Sequence, residues 1–151
     1  MDVKKFRELV WQAKKIVIGG NSHQLKEIVR FDFDDGSFYI KCFLKDNYVF
    51  ADDESTDSFL LVKEVKTPFV QPFNEKIEFE GGEFDFLFNA HAVARKIKGE
   101  KVFKIGDGEK FWDYKSANGN YLSLGINDAT GQRLDFYGNI VGASQVDLEL
   151  E

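Results

Sequence analysis

A chain of 151 residues, 43% hydrophobic and 30% charged, is long enough to bury one core without disulfides or metal and too apolar to remain disordered. Its formal charge of −6 argues against non-specific nucleic-acid binding and against simple electrostatic docking on an anionic membrane, both of which need a basic surface. Cys42 is the lone cysteine, which excludes an intrachain disulfide, and no run approaches the ~20 apolar residues of a membrane-spanning helix. A cytoplasmic location without membrane insertion is therefore expected.

In chain order, Val3, Phe6, Leu9, Val10 and Ala13 recur at helical spacing, which predicts a helix over 2–14 with Asp2 as N-cap and Lys14 and Lys15 at the negative end of its dipole. The same amphipathic pattern is unlike the continuous apolar core of a signal peptide. From Lys15 the period becomes two. Lys15–Gly19 is a short apolar run, and Asn21-Ser22-His23-Gln24 reads as a turn. Val29, Phe31 and Phe33 share one strand face, and Asp34-Asp35-Gly36-Ser37 is a hairpin turn, because Asp-Gly accepts the positive φ such turns need. Phe38–Leu44 returns as the partner strand. There Cys42 shares a face with Phe38, Ile40 and Leu44, as a small buried hydrophobe would, while Tyr39 and Phe43 share the other with Lys41. Tyr48-Val49-Phe50 follows, then an acidic loop from Ala51 to Asp57 and a strand over Phe59–Val65.

Thr67–Asn74 holds both prolines and divides the chain, since each removes a ladder donor. Beyond it Ile77 and Phe79, then Phe84, Phe86 and Phe88, resume the alternation, and strands are expected near 90–97, 101–105, 110–115, 120–126, 132–137 and 145–150. Sixteen Phe, five Tyr and two Trp fit this strand-rich reading. The expected fold is a single all-β domain: an antiparallel meander barrel or sandwich of about ten strands behind one N-terminal helix. Units over 15–66 and 75–150 look alike. Gly19-Gly20 and Gly81-Gly82 are each followed by a turn glycine, Gly36 and Gly99, then by Tyr48-Val49-Phe50 and Trp112-Asp113-Tyr114, then by Phe59–Val62 and Tyr121–Leu124.

Gly81-Gly82-Glu83-Phe84, Ala92–Glu100, Gly106-Asp107, Phe111–Tyr114 and Tyr121–Leu124 succeed one another as short strands around a glycine turn and a Trp-led strand. This order, over residues 75–140, resembles an uncharacterised bacterial family, domain of unknown function 4178. The resemblance implies a small intracellular β domain of bacterial origin and carries over no catalytic residue.

Local motifs assign no catalytic, cofactor-binding or metal-binding residue, and no cofactor is expected. His23 and His91 lack a second His or Cys at zinc-ligand spacing. No serine has the sharp-turn context of a nucleophile, and Gly106-x-Gly108-Glu109-Lys110 lacks phosphate-loop spacing. Asp52-Asp53-Glu54 with Asp57, and Asp32, Asp34 and Asp35, do not match a calcium loop. What stands out is aromatic. Tyr39, Phe43, Trp112 and Tyr114 would serve as anchors for a partner if one sheet face were open. The leading expectation is a non-enzymatic protein-binding or scaffolding module. The alternative is a small-ligand carrier, which a pocket on the order of a few hundred Å3 with convergent polar groups would favour. An enzyme, with His91 beside acidic residues or paired with Cys42, is the third.

Overall fold

Successive side chains on a strand point to opposite faces, and here both faces of most strands carry large apolar groups, so both must be covered. A closed barrel answers one side of that demand and added layers the other. The computed structural model describes residues 1–100 and 103–151. After helix α1 (Val3–Leu9) come β1 (Ala13–Ile18), β2 (Asn21–Phe33), β3 (Phe38–Leu44), β4 (Tyr48–Asp53) and β5 (Ser58–Val65). The second half supplies β6 (Lys76–Phe79), β7 (Gly82–Gly99), β8 (Gly108–Ser116), β9 (Asn120–Asn127), β10 (Asp135–Gly142) and β11 (Val146–Leu150).

All pairings are antiparallel. β2 to β5 pair in chain order, as do β7 to β10, and β5 pairs with β10. Pairing of β2 with β7, from Glu27↔Gly99 to Phe33↔Ala92, closes these eight strands into a barrel. Two long strands make closure possible by changing partners midway. β2 lies beside β1 over Asn21–Gln24 and beside β7 from Glu27 onward. β7 lies beside β6 near its start and beside β2 near its end. β11 pairs with β1 outside the barrel.

Each outer face carries its own layer. Val3, Phe6 and Val10 pack with Ile28, Ile40, Cys42, Leu44, Phe50 and Phe59 in one core, in which Phe6 meets Phe50 and Phe59 edge-on at 5.7 and 5.1 Å. Asp2 caps the helix by accepting from Lys5 N at 2.7 Å, and Asp57 in the β4–β5 turn accepts from Val3 N at 2.9 Å. On the other outer face Phe69, Phe73 and Phe79 pack over Phe84, Tyr114, Leu122 and Leu124. Thr67–Asn74 thus separates the halves in sequence yet forms part of this layer, held further by Arg133 Nη1 donating to Phe69 O at 2.5 Å.

Several expectations change. The helix stops at Leu9; a 3-10 turn over Val10–Gln12 follows, and Ala13, expected inside the helix, opens β1, paired with Leu150. Asn21–Gln24 is strand, because Ile18 and its neighbours offer it a ladder. Ala51–Asp53 belong to β4, leaving only 54–57 as the acidic turn. The alternation over 84–88 and 90–97 is one strand with a register shift between Phe86 and Phe88. Of the strand expected near 101–105, residues 101 and 102 lie outside the described residues, and Phe103 is not in a strand. The two halves do share an element order, and Gly19-Gly20 and Gly81-Gly82 both adjoin the turn before a partner-switching strand. The aromatic match slips by one strand, however: Tyr48–Phe50 is in β4, the third barrel strand of its half, whereas Trp112–Tyr114 is in β8, the second. The longer β7–β8 connection makes up the difference in length.

Truncating the fully buried Phe6 to Ala uncovers the outer core and is expected to cost about 3–5 kcal/mol, measured as a lower urea midpoint at unchanged slope. Gly99→Ala is expected to destabilise at the closing seam, since its φ is +120° and a Cβ would collide with the Lys26 carbonyl oxygen and lie 2.8 Å from Glu27 Cα; thermal denaturation reads this out.

Candidate functional site

An eight-stranded barrel is just wide enough for its interior to be filled by side chains or to hold one small ligand. Here one end is filled. Phe103 meets Phe31 edge-on at 5.2 Å and Phe43 at 5.5 Å, and Val29, Ala92 and Ala94 complete that cluster. The rest is open: a cavity of about 640 Å3 is lined by the inward positions of the barrel strands. Tyr39 and Lys41 come from β3, Val49, Ala51 and Asp53 from β4, and Leu60 and Val62 from β5. Glu109, Phe111 and Asp113 come from β8, Tyr121 and Ser123 from β9, and Phe136 from β10. Spacing of two along each strand is what sends these groups to one side.

Polar groups converge on an otherwise apolar chamber. Lys41 Nζ is 3.5 Å from Glu109 Oε1, with both side chains under a tenth exposed, at 7% and 6%. The same ammonium lies 4.4 Å from the Phe136 ring centroid and 5.7–5.8 Å from those of Phe31, Phe43 and Phe103, so aromatic faces supply most of its surroundings. The Oε2 of Glu109 has no hydrogen-bond partner among the described residues. Asp113 accepts from Tyr121 Oη at 2.5 Å and Ser123 Oγ at 2.6 Å. Burial pushes its carboxyl up to about 6, opposed by these two hydroxyls and by Lys41 and reinforced by Glu109. Burial, and then the charges of Glu109, Asp113 and Asp52, hold the Tyr39 phenol well above its usual range, and burial with Asp113 does the same for Tyr121. Both phenols are thereby kept as O–H groups.

The rim is clamped from the helix. Arg7 donates from Nε to Asp52 at 2.7 Å, from Nη1 to Glu54 at 2.7 Å and from Nη2 to Phe38 O at 2.7 Å. Arg7 and Arg30 both place their guanidinium groups over the Phe38 ring, at 4.2 and 3.9 Å. Burial raises the Asp52 carboxyl, although Arg7 and the amide of Ile40 pull the other way.

The four expected anchors divide between two places. Tyr39 lines the cavity and Phe43 packs inside the barrel beside Phe103. Trp112 and Tyr114 point outward beneath the 69–79 layer, Trp112 edge-on to Phe73 at 5.0 Å and Tyr114 fully buried with its hydroxyl on Asn74 O at 2.8 Å. They do not form one exposed surface. Cys42 is buried under the helix, its thiol pushed well up by burial. His91 lies elsewhere, part-exposed between Asp34 at 3.1 Å and Asp128 at 2.6 Å, so no Cys42–His91 pair forms. His23 stacks edge-on against Tyr48 at 5.3 Å within β2, where the sequence suggested a turn. The acidic runs are spent locally: Asp32 on Arg30, Asp35 on Ser37, Asp52 and Glu54 on Arg7, and Asp57 on the helix start. No three His, Cys, Asp or Glu side chains gather for a metal ion among the described residues. No helix among them is long and apolar enough to cross a membrane.

What the sequence left unmarked is Glu109, Asp113, Tyr121 and Ser123 as cavity groups; the available signal was their period-two spacing, Glu109-x-Phe111-x-Asp113 and Tyr121-x-Ser123. Comparison of the chain with protein-family models, with curated proteins and with solved structures finds no match in any of the three.

Two pH effects follow. Hydrogen bonds to Asp34 and Asp128 raise His91 above 6.5. Their stabilisation is therefore full below 6.5 and is lost as pH rises through the raised value. Melting temperatures of wild type and His91→Gln are expected to converge on the alkaline side. Asp113 is raised instead, from 3.8 to about 6, so its ionisation increasingly opposes folding as pH climbs through that window. The stability difference between Asp113→Asn and wild type is expected to move in the variant's favour from pH 3.8 to above 6, which urea titration at each pH measures.

Proposed function

We propose that the chain is a small-ligand-binding β-barrel whose site is the interior cavity. The observation that carries this reading is the chamber itself: about 640 Å3, within the ~300–1,000 Å3 range of ligand pockets, walled by apolar rings and converged on by Lys41, Glu109, Asp113, Tyr121 and Ser123. Such a layout gives an apolar body its burial and a few polar groups their orientation. A cytoplasmic, bacterial setting and a non-enzymatic role complete the proposal. The bacterial setting rests on the resemblance to domain of unknown function 4178. The cytoplasmic one rests on that resemblance together with an N-terminus and apolar runs unlike a signal peptide or membrane span, and the non-enzymatic role on titratable groups that are engaged with one another or with hydroxyls.

A protein-binding role is the second reading, and one specific feature favours it. Phe86, Leu87 and Phe88 stand 38%, 47% and 42% exposed at the register shift of β7. Phe88 also lines the cavity, so this apolar patch borders it.

Uptake of the neutral dye Nile red, followed by its fluorescence, separates the two. Wild type is expected to bind one dye molecule. Val62→Trp, which fills the chamber, is expected to lose at least about nine-tenths of the affinity (~1.4 kcal/mol), while Leu87→Ser keeps it. Absence of uptake by wild type, together with a stoichiometric protein partner captured from its own cells and lost on Leu87→Ser, would replace the ligand reading with the protein-binding one.

A further inference from the structure

We infer that the cavity selects an organic cation, a molecule with an aromatic or alkyl body and a protonated amine. This inference rests on the cavity being a ligand site, and it adds the charge of what occupies it.

Among the described residues, the charges lining the chamber do not balance: two cations, Arg7 and Lys41, face five carboxylates, Asp52, Asp53, Glu54, Glu109 and Asp113. Both cations are engaged. Arg7 spans Asp52 and Glu54 at 2.7 Å each, and Lys41 reaches Glu109 at 3.5 Å. That leaves Asp113, whose partners are the hydroxyls of Tyr121 and Ser123, and Asp53, which accepts from Ser55 N and Oγ at 3.1 and 2.6 Å. Glu109, with a side chain 6% exposed, keeps one oxygen without a donor among the described residues. Glu109 and Asp113 are buried, so their field is weakly screened. An arriving ammonium supplies both the missing positive charge and N–H donors. An arriving carboxylate would add a like charge where both cations are already paired.

The rings agree with the charges by a separate route. Phe33, Tyr39, Phe88 and Phe111 all line the cavity and cluster, with centroids 5.3 Å apart for Phe33 and Tyr39, 6.0 Å for Tyr39 and Phe111, 6.2 Å for Phe33 and Phe111, and 6.1 Å for Phe88 and Phe111. Aromatic faces attract cations through their quadrupole and give an anion nothing. The barrel already shows this preference in its own chain, where the Lys41 ammonium sits 4.4 Å from the Phe136 centroid.

The test uses three probes that share one ring system: 2-naphthylmethylamine, 2-naphthylmethanol and 2-naphthoate, titrated calorimetrically into the full chain at neutral pH. The amine is expected to bind at least about tenfold more tightly than the alcohol, and the carboxylate more weakly than either. Glu109→Gln and Asp113→Asn are each expected to shrink the amine-to-alcohol ratio, read as the change in that ratio within each variant. A carboxylate that binds as tightly as the amine, or an amine preference unchanged in both variants, overturns the inference. Should a variant fail to fold, the wild-type order of the three probes decides alone. Nile red separates the levels: dye uptake without amine preference removes only this inference, whereas failure of all four molecules to bind removes the cavity reading with it.

Discussion

The pairing of β2 with β7 is the contact on which the rest of the architecture depends. Without it the eight strands form an open sheet with two edges and no interior; with it the edges vanish and one face of every strand becomes the inside of a barrel. Closure demands strands long enough to pair twice, and β2 and β7 are the longest here, at 13 and 18 residues. Their extra lengths run beyond the barrel, where β1 with β11 and β6 respectively find ladders. The outer layers build on the same two strands: their overhangs, paired with β1 and β6, adjoin α1 and the 69–79 segment, which pack against the two apolar outer faces.

Closure also creates the electrostatic problem inside. A charge removed from water needs a partner close by, because little else in an apolar chamber replaces its hydration. Lys41 is answered by Glu109 and by a ring of aromatic faces, and Asp113 by two hydroxyls. The Arg7 clamp stands at the cavity margin and ties the helix that covers one outer face to β3 and β4, whose inner faces line the chamber. Packing outside and electrostatics inside therefore share residues, and the helix is part of the site's support as well as of the core.

Much of the local structure was legible. Alternation placed Val29, Phe31 and Phe33 on one face and separated Tyr39, Lys41 and Phe43 from Ile40, Cys42 and Leu44, as the barrel does. Asp34–Ser37 turns as its Asp-Gly pair requires. Locally ambiguous stretches were misread for a common reason. Asn21–Gln24 is polar enough for a turn, and Ala13 sits on a helical stripe, yet both join strands because partners distant or adjacent offer ladders there. Propensity is a weak prior against such an offer.

The site was legible only in pieces. Periodicity says which residues share a face, and so it grouped Tyr39 and Phe43 with Lys41 and Trp112 with Tyr114. It is silent on which face is inside, because in this chain inner and outer faces are almost equally apolar. By itself the sequence determined an acidic, aromatic-rich, antiparallel β chain with a helix at its start, since composition, period and turn chemistry are local properties. Only the tertiary structure decided that Tyr39, Glu109, Asp113 and Tyr121 enclose one chamber while Tyr114 lies buried outside it. Pairings such as Val29↔Ile97 and Phe136↔Glu64 join residues far apart in the chain, and no local spacing records which distant strands will meet.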